Sequence, residues 1–370
     1  MSRNEDVAAD LRRTVRDLLT AHGSSAAVRA AAETPDGTDR GLWRRISSEL
    51  GLTGLGVPEE FGGAGYGDDL QPVVFEELGA ALAPVPHLAT VGLAMSALLA
   101  SGDADAQKRH CPDLVAGTAA TLAFTEADRN WDVPSLATSA ELTPHGDAWL
   151  LTGRKTLVLD GPAAELILVL AQAPEGPTLF AVAGDEASLR REGVRGLDLT
   201  RRFADVVLEA TPAVAVGGLG DGRRIVEAAL VRATAFLAAE QLGGMQRCLD
   251  SAVDYAKLRH QFGRPIGSFQ AVKHKCADML VDVESARSLV EHLGTVLADR
   301  TDLALPAATA AAFCADAYRR VAAESLHVHG GIGFTWEHDA HLYVRRAEVS
   351  ALLFGDASYQ RRRVAELLAL

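Results

Sequence analysis

The feature that decides the fold is the stretch Arg259-His260-Gln261-Phe262-Gly263-Arg264-Pro265-Ile266-Gly267-Ser268-Phe269-Gln270-Ala271-Val272-Lys273-His274, which separates two long helical patterns. Apolar residues recur at spacings of three and four before it, at Leu242, Met245, Leu249, Val253 and Ala256. They recur in the same way after it, at Val272, Cys276, Leu280, Val283, Ala286 and Val290. This spacing predicts one helix that ends near Gly263, a tight connection at Pro265 and Gly267, and a second helix that Ser268 caps.

This connection has the chemistry of a pyrophosphate site. Arg259 would lie at a helix end beside a new helix N-terminus, where a guanidinium fork and free backbone N–H groups both favour phosphate. A second turn, His327-Val328-His329-Gly330-Gly331-Ile332-Gly333-Phe334, also follows a helix, and its glycines let the backbone approach a ligand closely. For the first segment, the alternative is an inter-helix turn in which Arg259 is solvated. For the second, it is a glycine-rich helix C-cap.

The chain changes character twice. Up to about residue 118 the sequence predicts helices. Val7, Leu11, Val15 and Leu18, for example, recur at the spacing of one helix face. From about 120 to 215, turn signals such as His145-Gly146-Asp147 separate short apolar runs, which predict strands. These runs are Thr121–Phe124, Trp149–Thr152, Thr156–Leu159, Ile167–Ala171, Leu179–Val182 and Asp205–Glu209. From about 220 the helical patterns return, and a helix end is expected at Gly330-Gly331.

We therefore predict an α+β protein with three domains. The N-terminal helical domain covers 1–119, a small antiparallel middle β-sandwich or barrel covers 120–216, and a four-helix bundle covers 217–370. In the stretch Ala307–Ala312, continuing to Tyr318, apolar residues cover so wide an arc that we expect this helix to be buried on both sides in an oligomer.

Composition excludes several classes of protein. The chain has 370 residues, with 36 Lys+Arg against 49 Asp+Glu and a net charge of −13, which disfavours nucleic-acid binding. No apolar run approaches ~18 residues, so no membrane span is expected. The charged start, Met1 to Arg13, resembles no signal peptide, and the four cysteines lie far apart with no CxxC pair. We expect a protein of the reducing cytoplasm.

With these segments in place, the chain resembles the acyl-CoA dehydrogenase family over nearly its whole length. The segments that carry the resemblance are Gly56–Gly63, Glu76–Gly79, Phe124–Glu126, Arg259–Lys273 and His329–Phe334. The family has an N-terminal helical domain, a middle β domain and a C-terminal four-helix bundle. It binds FAD between the middle domain of one subunit and the bundle of its neighbour, and it commonly forms dimers of dimers.

The resemblance also implies a reaction. The family removes the α and β hydrogens of an acyl thioester, presented on CoA or on a carrier protein, as a proton and a hydride. It passes the electrons to a separate electron-transfer flavoprotein. By this resemblance the FAD contacts are Arg259, Phe262, Gln270, His327, Gly330, Gly331 and Thr125.

The expected catalytic base is missing from its usual place. The family usually carries a Glu in a Glu-Gly-Thr motif, where this chain has Phe354 followed by Gly355 and Asp356. Some members carry the Glu directly after the motif arginine, where this chain has His260. Asp356 or His260 could act as a displaced base.

Two further carboxylates could substitute as the base. Glu348 could instead pair with Arg345 and Arg346. Glu240 lies in an apolar run, and its alternative is an ion pair with Arg232 or Arg247.

The part of the family pattern that faces the flavin ring also differs. The family reads Trp-Ile-Thr-Asn-Gly where this chain has Leu157-Val158-Leu159-Asp160-Gly161, so two leucines replace the aromatic and the threonine that meet the flavin. The usual Gly-Ala-Gly-Ser-Asp is replaced by Ala127-Asp128-Arg129-Asn130-Trp131-Asp132. The nucleotide side matches the family except at His327, where Gln is frequent.

Other clusters are weaker. Four histidines lie near Glu337 and Asp339 in the segment 327–341, but their spacing matches no common metal motif, so we expect no metal. The run Arg361-Arg362-Arg363 predicts a solvated face, with contact to a nucleotide phosphate as the alternative.

Two functions follow from these observations. In the first, the chain is an FAD-dependent acyl thioester dehydrogenase with a displaced base. In the second, it is a companion subunit that has no base and clamps the FAD of a Glu-bearing paralogue. The intact stretch Arg259–Lys273 argues against a third possibility, a helical scaffold without cofactor.

Overall fold

The computed structural model describes residues 3–127, 131, 136–143 and 148–370. The predicted turn at 145–147 lies outside the described residues. So do 128–130 and 132, which belong to the stretch that replaces the family's Gly-Ala-Gly-Ser-Asp.

The N-terminal part of the chain is helical, as predicted. Its α-helices are α1 Arg3–His22, α2 Ser25–Glu33, α3 Arg40–Arg44, α4 Gln71–Ala80, α5 Ser96–Ser101 and α6 Ala104–Ala116. A stretch of wider π-type turns, Leu88–Met95, leads directly into α5. Arg16 of α1 donates to Glu77 of α4 at 2.8 and 3.0 Å, so the first helix is tied to the rest of the fold.

The middle part forms a small closed barrel. Its strands are β1 Ala120–Ala123, β2 Ser139–Leu142, β3 Trp149–Leu159, β4 Leu166–Ala173, β5 Gly176–Ala183, β6 Leu189–Val194 and β7 Phe203–Val216. The order is β1-β4-β2-β3-β7-β5, and the additional pairing of β4 with β5 closes the ring, while β6 pairs with β7. The predicted small β domain is therefore confirmed as a barrel.

Two details of the strand prediction are wrong. The runs Trp149–Thr152 and Thr156–Leu159 belong to the single strand β3, because Gly153, Arg154 and Lys155 continue the pairing with β7. The barrel is also not wholly antiparallel, since β1 and β2 both pair with β4 in parallel. Register shifts after Leu151 and after Lys155 bend β3, as β-bulges do.

The C-terminal part is a helical bundle. The long helices α7 Gly222–Leu258, α8 Gln270–Asp299 and α9 Ala304–His329 pack together, and the shorter α10 Ala340–Ser350 and α11 Ala357–Leu367 lie against α9. Between α7 and α8 the chain forms a hairpin of two short strands, β8 His260–Gln261 and β9 Arg264–Pro265.

The N-terminal helices and the bundle share one apolar core. The rings of Phe75 on α4 and Phe236 on α7 stack with centroids 4.9 Å apart. The two helices touch through backbone, because a Cβ on Gly243 would lie 1.8 Å from the carbonyl oxygen of Glu76. Within the described ranges, no helix is both long and apolar enough to cross a membrane.

Candidate functional site

The first half of the candidate site is the hairpin after α7. The helix ends at Leu258, five residues earlier than predicted, because Arg259 turns to an extended conformation and its carbonyl accepts the N–H of Ile266 at 2.8 Å. The hairpin turn places Phe262 and Gly263 in the left-handed region, at φ +54° and +77°. The Phe262 side chain is 91 % exposed at the tip. An aromatic ring in this strained and exposed position indicates a contact with another molecule.

The start of α8 differs from the prediction in its cap. Ser268 does not cap the helix, because its hydroxyl donates to the Pro265 carbonyl at 2.7 Å inside the tight turn. Phe269 takes the N-cap position and offers no side-chain acceptor. The first N–H groups of α8 thus have no side-chain cap. The exposed side chains of Arg259 and Gln270 find no polar partner among the described residues.

The second half of the site is the turn after α9. The predicted helix end is confirmed, since α9 ends at His329 and Gly330 follows at φ +62°. A side chain built on Gly330 or on Gly331 would meet no atom within 4 Å, so the backbone of both glycines is open to a ligand. His327 is exposed, 3.9 Å from Glu324.

The structure brings these two halves to one end of the bundle. The Ser325 hydroxyl of α9 donates to the Cys248 carbonyl of α7 at 2.9 Å, and Lys275 near the start of α8 pairs with Glu324 of α9. Two stretches that lie about 60 residues apart in the sequence thereby come to one end of the bundle, with a helix start that no side chain caps, an arginine and open glycines. This donor set suits a pyrophosphate.

Thr125, the remaining predicted cofactor contact, lies elsewhere. It is buried after β1, and its hydroxyl donates to the Thr156 carbonyl of β3, while its own carbonyl accepts the Thr156 N–H at 2.9 Å. Glu126 accepts a bond from Lys155 Nζ at 2.6 Å. Burial alone would raise the pKa of Glu126, but Lys155 and the Ala137 N–H hold this pKa below its ordinary value.

Phe354 closes the place where a base is expected. The side chain is 4 % exposed, and its ring meets the Trp131 ring edge-on with centroids 5.7 Å apart. Trp131 in turn packs on Phe124, with centroids 5.9 Å apart. The backbone of Phe354 is left-handed at φ +57°, and the Gln360 amide donates to its carbonyl at 2.7 Å.

A cavity of about 100 Å³ remains beside this aromatic cluster. Its lining combines apolar residues of α7 and α9, among them Leu230, Val231, Ala307 and Ala308, with the charged residues Arg223, Glu227 and Arg363. A cavity of about 150 Å³ holds one benzene molecule. The space next to Phe354 is therefore too small for a long acyl group.

Neither candidate base lies in this closed region. Asp356 is exposed and caps α11, because its carboxylate accepts the Tyr359 N–H at 2.8 Å. His260 lies in the exposed hairpin, with Nδ1 3.1 Å from the Leu258 carbonyl oxygen. The described contacts include no hydrogen bond, ion pair or ring contact that joins Phe354 to the hairpin.

The predicted partners of two other carboxylates are wrong. Glu348 pairs with Arg319 at 3.0 Å and not with Arg345 or Arg346. Arg346 is two residues away and faces a different direction on the helix, and Arg345 donates to the Leu197 carbonyl at 3.3 Å. The same geometry turns Arg346 into the core, where its side chain is 4 % exposed.

Glu240 pairs with neither Arg232 nor Arg247. Both arginines lie about two turns away on α7, which is beyond the reach of one ion pair. Instead Glu240 accepts bonds from Arg201, at 2.5 and 2.8 Å, and from Arg346, at 3.0 Å.

These residues form a buried charged joint where the three parts of the chain meet. Arg346 of α10 pairs with Asp198 at 2.5 Å and with Glu240 of α7, and Arg201 precedes β7. Asp160 lines the same small cavity of about 20 Å³, and burial raises its pKa to about 7. Sequence reasoning missed this joint, although charges at Asp198 and Arg201 beside a strand are the signal that could have revealed it.

The remaining predictions concern the flavin-facing strand, a metal and the arginine run. Leu157 lies at the second bulge of β3 at φ +51°, and its N–H donates to Asp205 at 3.1 Å. Across the described ranges, no cluster of three His, Cys, Asp or Glu is placed to hold a metal ion. Arg361, from the arginine run, is exposed on α11 and pairs with Asp316 of α9.

Comparison with known proteins assigns the family. The profile "Acyl-CoA dehydrogenase, N-terminal domain" matches residues 5–118, and "Acyl-CoA dehydrogenase, C-terminal domain" matches residues 220–369. The chain belongs to the acyl-CoA dehydrogenase family. It is thus a member of a family of flavoprotein oxidoreductases.

Individual acyl-CoA dehydrogenases cover almost the whole chain. "Acyl-CoA dehydrogenase IpdE2" from Mycolicibacterium smegmatis is 36 % identical over 358 residues, which are 96 % of each chain. A chain of the ChsE4-ChsE5 complex from Mycobacterium tuberculosis has a TM-score of 0.87 at 31 % identity, over 98 % of this chain and 97 % of that chain. Butyryl-CoA dehydrogenase from Megasphaera elsdenii has a TM-score of 0.89 at 25 % identity, over 98 % of both chains.

Proposed function

We propose that this chain is one subunit of a multimeric FAD-dependent dehydrogenase of acyl thioesters. In that assembly it holds the FAD pyrophosphate with the end of its bundle, and a paralogous subunit supplies the catalytic carboxylate. The observation that carries the proposal is Phe354, a buried aromatic side chain at the position where the family usually has its base.

The bundle end supports the binding role. Arg259, the uncapped N–H groups of α8 and the open backbone at Gly330 and Gly331 lie at the same end of the bundle, and such a set of donors would suit a diphosphate. The exposed Phe262 ring would cover an adjacent part of the nucleotide, and the exposed side chains of Gln270 and His327 would contact it. Replacing Arg259 by Ala should cost about 1.5–3 kcal/mol of FAD binding, the usual loss for a charge-assisted hydrogen bond.

The middle barrel supports the second part of the proposal. At the flavin-facing positions, Leu157 and Leu159 provide no polar side-chain group, and the hydroxyl of Thr125 already donates to Thr156. When bound, FAD supplies the acceptor for the hydride that leaves the acyl chain. The proton must go to a base, and Phe354 cannot accept one.

Partners follow from this division of labour. We propose an acyl thioester as substrate, on CoA or on a carrier protein, an electron-transfer flavoprotein as acceptor, and a paralogue as the neighbouring subunit. One similar structure, the ChsE4-ChsE5 complex, joins two differently named proteins in one assembly. All four cysteines are free thiols, which supports a reducing compartment, the cytoplasm.

The test is to purify the full chain alone, add FAD, and follow bleaching of the flavin absorbance with a panel of acyl thioesters. We expect no bleaching alone and rapid bleaching after a Glu-bearing paralogue is added, because a positioned base is worth about 10²–10⁴-fold in rate. Bleaching by the isolated chain that is lost in Asp356→Asn or His260→Ala would instead establish a displaced base and overturn the proposal.

A further inference from the structure

His329 ends α9 immediately before Gly330, and its side chain is only 3 % exposed. It therefore lies directly beneath one half of the proposed pyrophosphate site. The sequence alone assigns it no role, since the neighbouring His327 is the predicted cofactor contact.

Both ring nitrogens of His329 have a partner. Nδ1 lies 2.7 Å from the Ser325 carbonyl oxygen, which can only accept, so Nδ1 carries the proton. Nε2 lies 3.2 Å from the Ser251 hydroxyl of α7 and accepts its hydrogen. A neutral imidazole satisfies both bonds at once. Burial lowers the pKa of His329, although the bond to Ser325 works in the opposite direction.

The ring is also held from both sides. The Tyr255 ring of α7 packs against it with centroids 4.8 Å apart, and the His338 ring lies 4.3 Å away on the segment that leads into α10. Two hydrogen bonds and two ring contacts thus leave the imidazole one orientation.

These contacts connect the two halves of the proposed site. Ser251 and Tyr255 lie four residues apart on one face of α7, and the N–H of Arg259, the residue that follows the helix, donates to the Tyr255 carbonyl at 2.8 Å. His329 contacts the first two, and the third is the arginine of the hairpin. The next residue after His329 is Gly330, the start of the open turn.

We propose that His329 is a positioning residue that sets the spacing between Arg259 and the Gly330-Gly331 turn. It does so by fixing the end of α9 against the end of α7. This inference rests on the proposed function, because it assigns to His329 the geometry of a site that the proposed function uses. If His329 were only a core residue, its loss would lower stability and leave ligand affinity unchanged.

The experiment measures the affinity of the full chain for ADP by titration calorimetry. ADP carries the pyrophosphate but no flavin ring, so it probes the bundle end alone. In His329→Phe the aromatic ring remains and the two hydrogen bonds are lost, and Ser251→Ala removes only the bond to α7. We expect both variants to weaken ADP binding about three- to tenfold, the size expected for one or two hydrogen bonds.

Two controls make the result specific. Leu293→Ala removes a fully buried side chain 23 residues into α8, about 35 Å from the start of that helix, so it lowers stability without touching the site. His329→Gln offers an amide oxygen near the position of Nε2 and should recover part of the affinity. Thermal unfolding of each variant without ligand measures the stability loss separately.

The outcomes separate the two proposals. If the wild-type chain does not bind ADP, or if Arg259→Ala binds it equally well, the proposed function fails and the role of His329 fails with it. If Arg259→Ala weakens binding while His329→Phe and Ser251→Ala bind like Leu293→Ala, only the positioning role is overturned. Should His329→Phe fail to fold, Ser251→Ala still decides the matter.

Discussion

The end of the bundle and the cavity beside Phe354 are built in opposite ways. At the bundle end, an arginine, two glycines and a phenylalanine that is 91 % exposed face outward. Beside the cavity, three aromatic rings, Phe124, Trp131 and Phe354, pack on one another and leave about 100 Å³. The first region is shaped for a ligand, whereas the second is filled by the protein's own side chains.

This difference shows how two parts of one family fold can diverge separately. The bundle end depends on backbone geometry at helix ends, at the start of α8 and at the turn after α9. The cavity depends on side chains alone, so one residue, Phe354, can close it without altering the path of the backbone. The two regions should therefore respond differently to substitution.

The largest expected effect is on the free energy of unfolding, when the buried ring of Phe354 is removed. Phe354→Ala should lower the free energy of unfolding by about 3–5 kcal/mol, since it removes a buried aromatic ring from a packed cluster. Chemical denaturation measures the loss. ADP affinity should stay unchanged, because the contacts of the described residues include no hydrogen bond or ring contact between Phe354 and the bundle end. The matched control is Phe334→Ala, which removes a ring that is 68 % exposed and should change stability by less than about 0.5 kcal/mol.

A loss below about 1 kcal/mol for Phe354→Ala would contradict the packed cluster. It would mean that the ring is free to leave the site where the family carries its base.

How far the sequence predicts this molecule depends on the range of the interactions. Helix faces and the end at Gly330 follow from local spacing and turn chemistry, and both are confirmed. The predicted helix runs too far into the hairpin, because Phe262 adopts a left-handed conformation that no local rule favours for phenylalanine.

The charged joint is out of reach for another reason. Its ion pairs join Asp198 to Arg346 and Arg201 to Glu240, across 148 and 39 residues. Long-range pairing of this kind depends on how the three parts dock, which periodicity does not encode. The same limit explains why the arginine partners predicted for Glu240 are those nearby on its own helix.

The pH dependence of the charged joint gives a second prediction. Outside the folded protein the Asp160 carboxyl ionises near 3.8, whereas burial raises its pKa to about 7 in the fold. Between these values the native state binds more protons than the unfolded state. The free energy of unfolding contributed by Asp160 therefore falls as the pH rises from about 4 to about 7.

Asp160→Asn should remove this dependence. The amide is close in shape to the neutral acid, and the family usually reads Asn at this position. Because one pKa unit corresponds to about 1.4 kcal/mol and the shift is about three units, we expect a gain of up to about 4 kcal/mol at pH 8 and little gain at pH 4. Urea denaturation at the two pH values tests this, with Asp356→Asn, at an exposed carboxylate, as the control. Equal gains at both pH values would show that Asp160 does not hold a proton in the fold.

The smallest effect concerns the tip of the hairpin, where stability and binding should move in opposite directions. Phe262 has φ +54°, a conformation that costs a non-glycine residue on the order of 1 kcal/mol and that glycine adopts freely. Its ring is 91 % exposed and meets the Phe269 ring edge-on, with centroids 6.1 Å apart, so little packing is lost on removal. Phe262→Gly should therefore raise the free energy of unfolding by about 0.5–1 kcal/mol.

The same substitution should weaken FAD binding, because the exposed ring is there to meet a ligand. Phe262→Ala separates the two effects, since alanine removes the ring but keeps the strain of the left-handed backbone. Thermal unfolding and FAD titration of both variants give the comparison. We expect both to bind FAD less tightly and only the glycine variant to gain stability. If Phe262→Gly were more stable and bound FAD as tightly as the wild type, the strained ring would have no role in holding the nucleotide. The bundle end would then depend on Arg259 and the glycine turn alone.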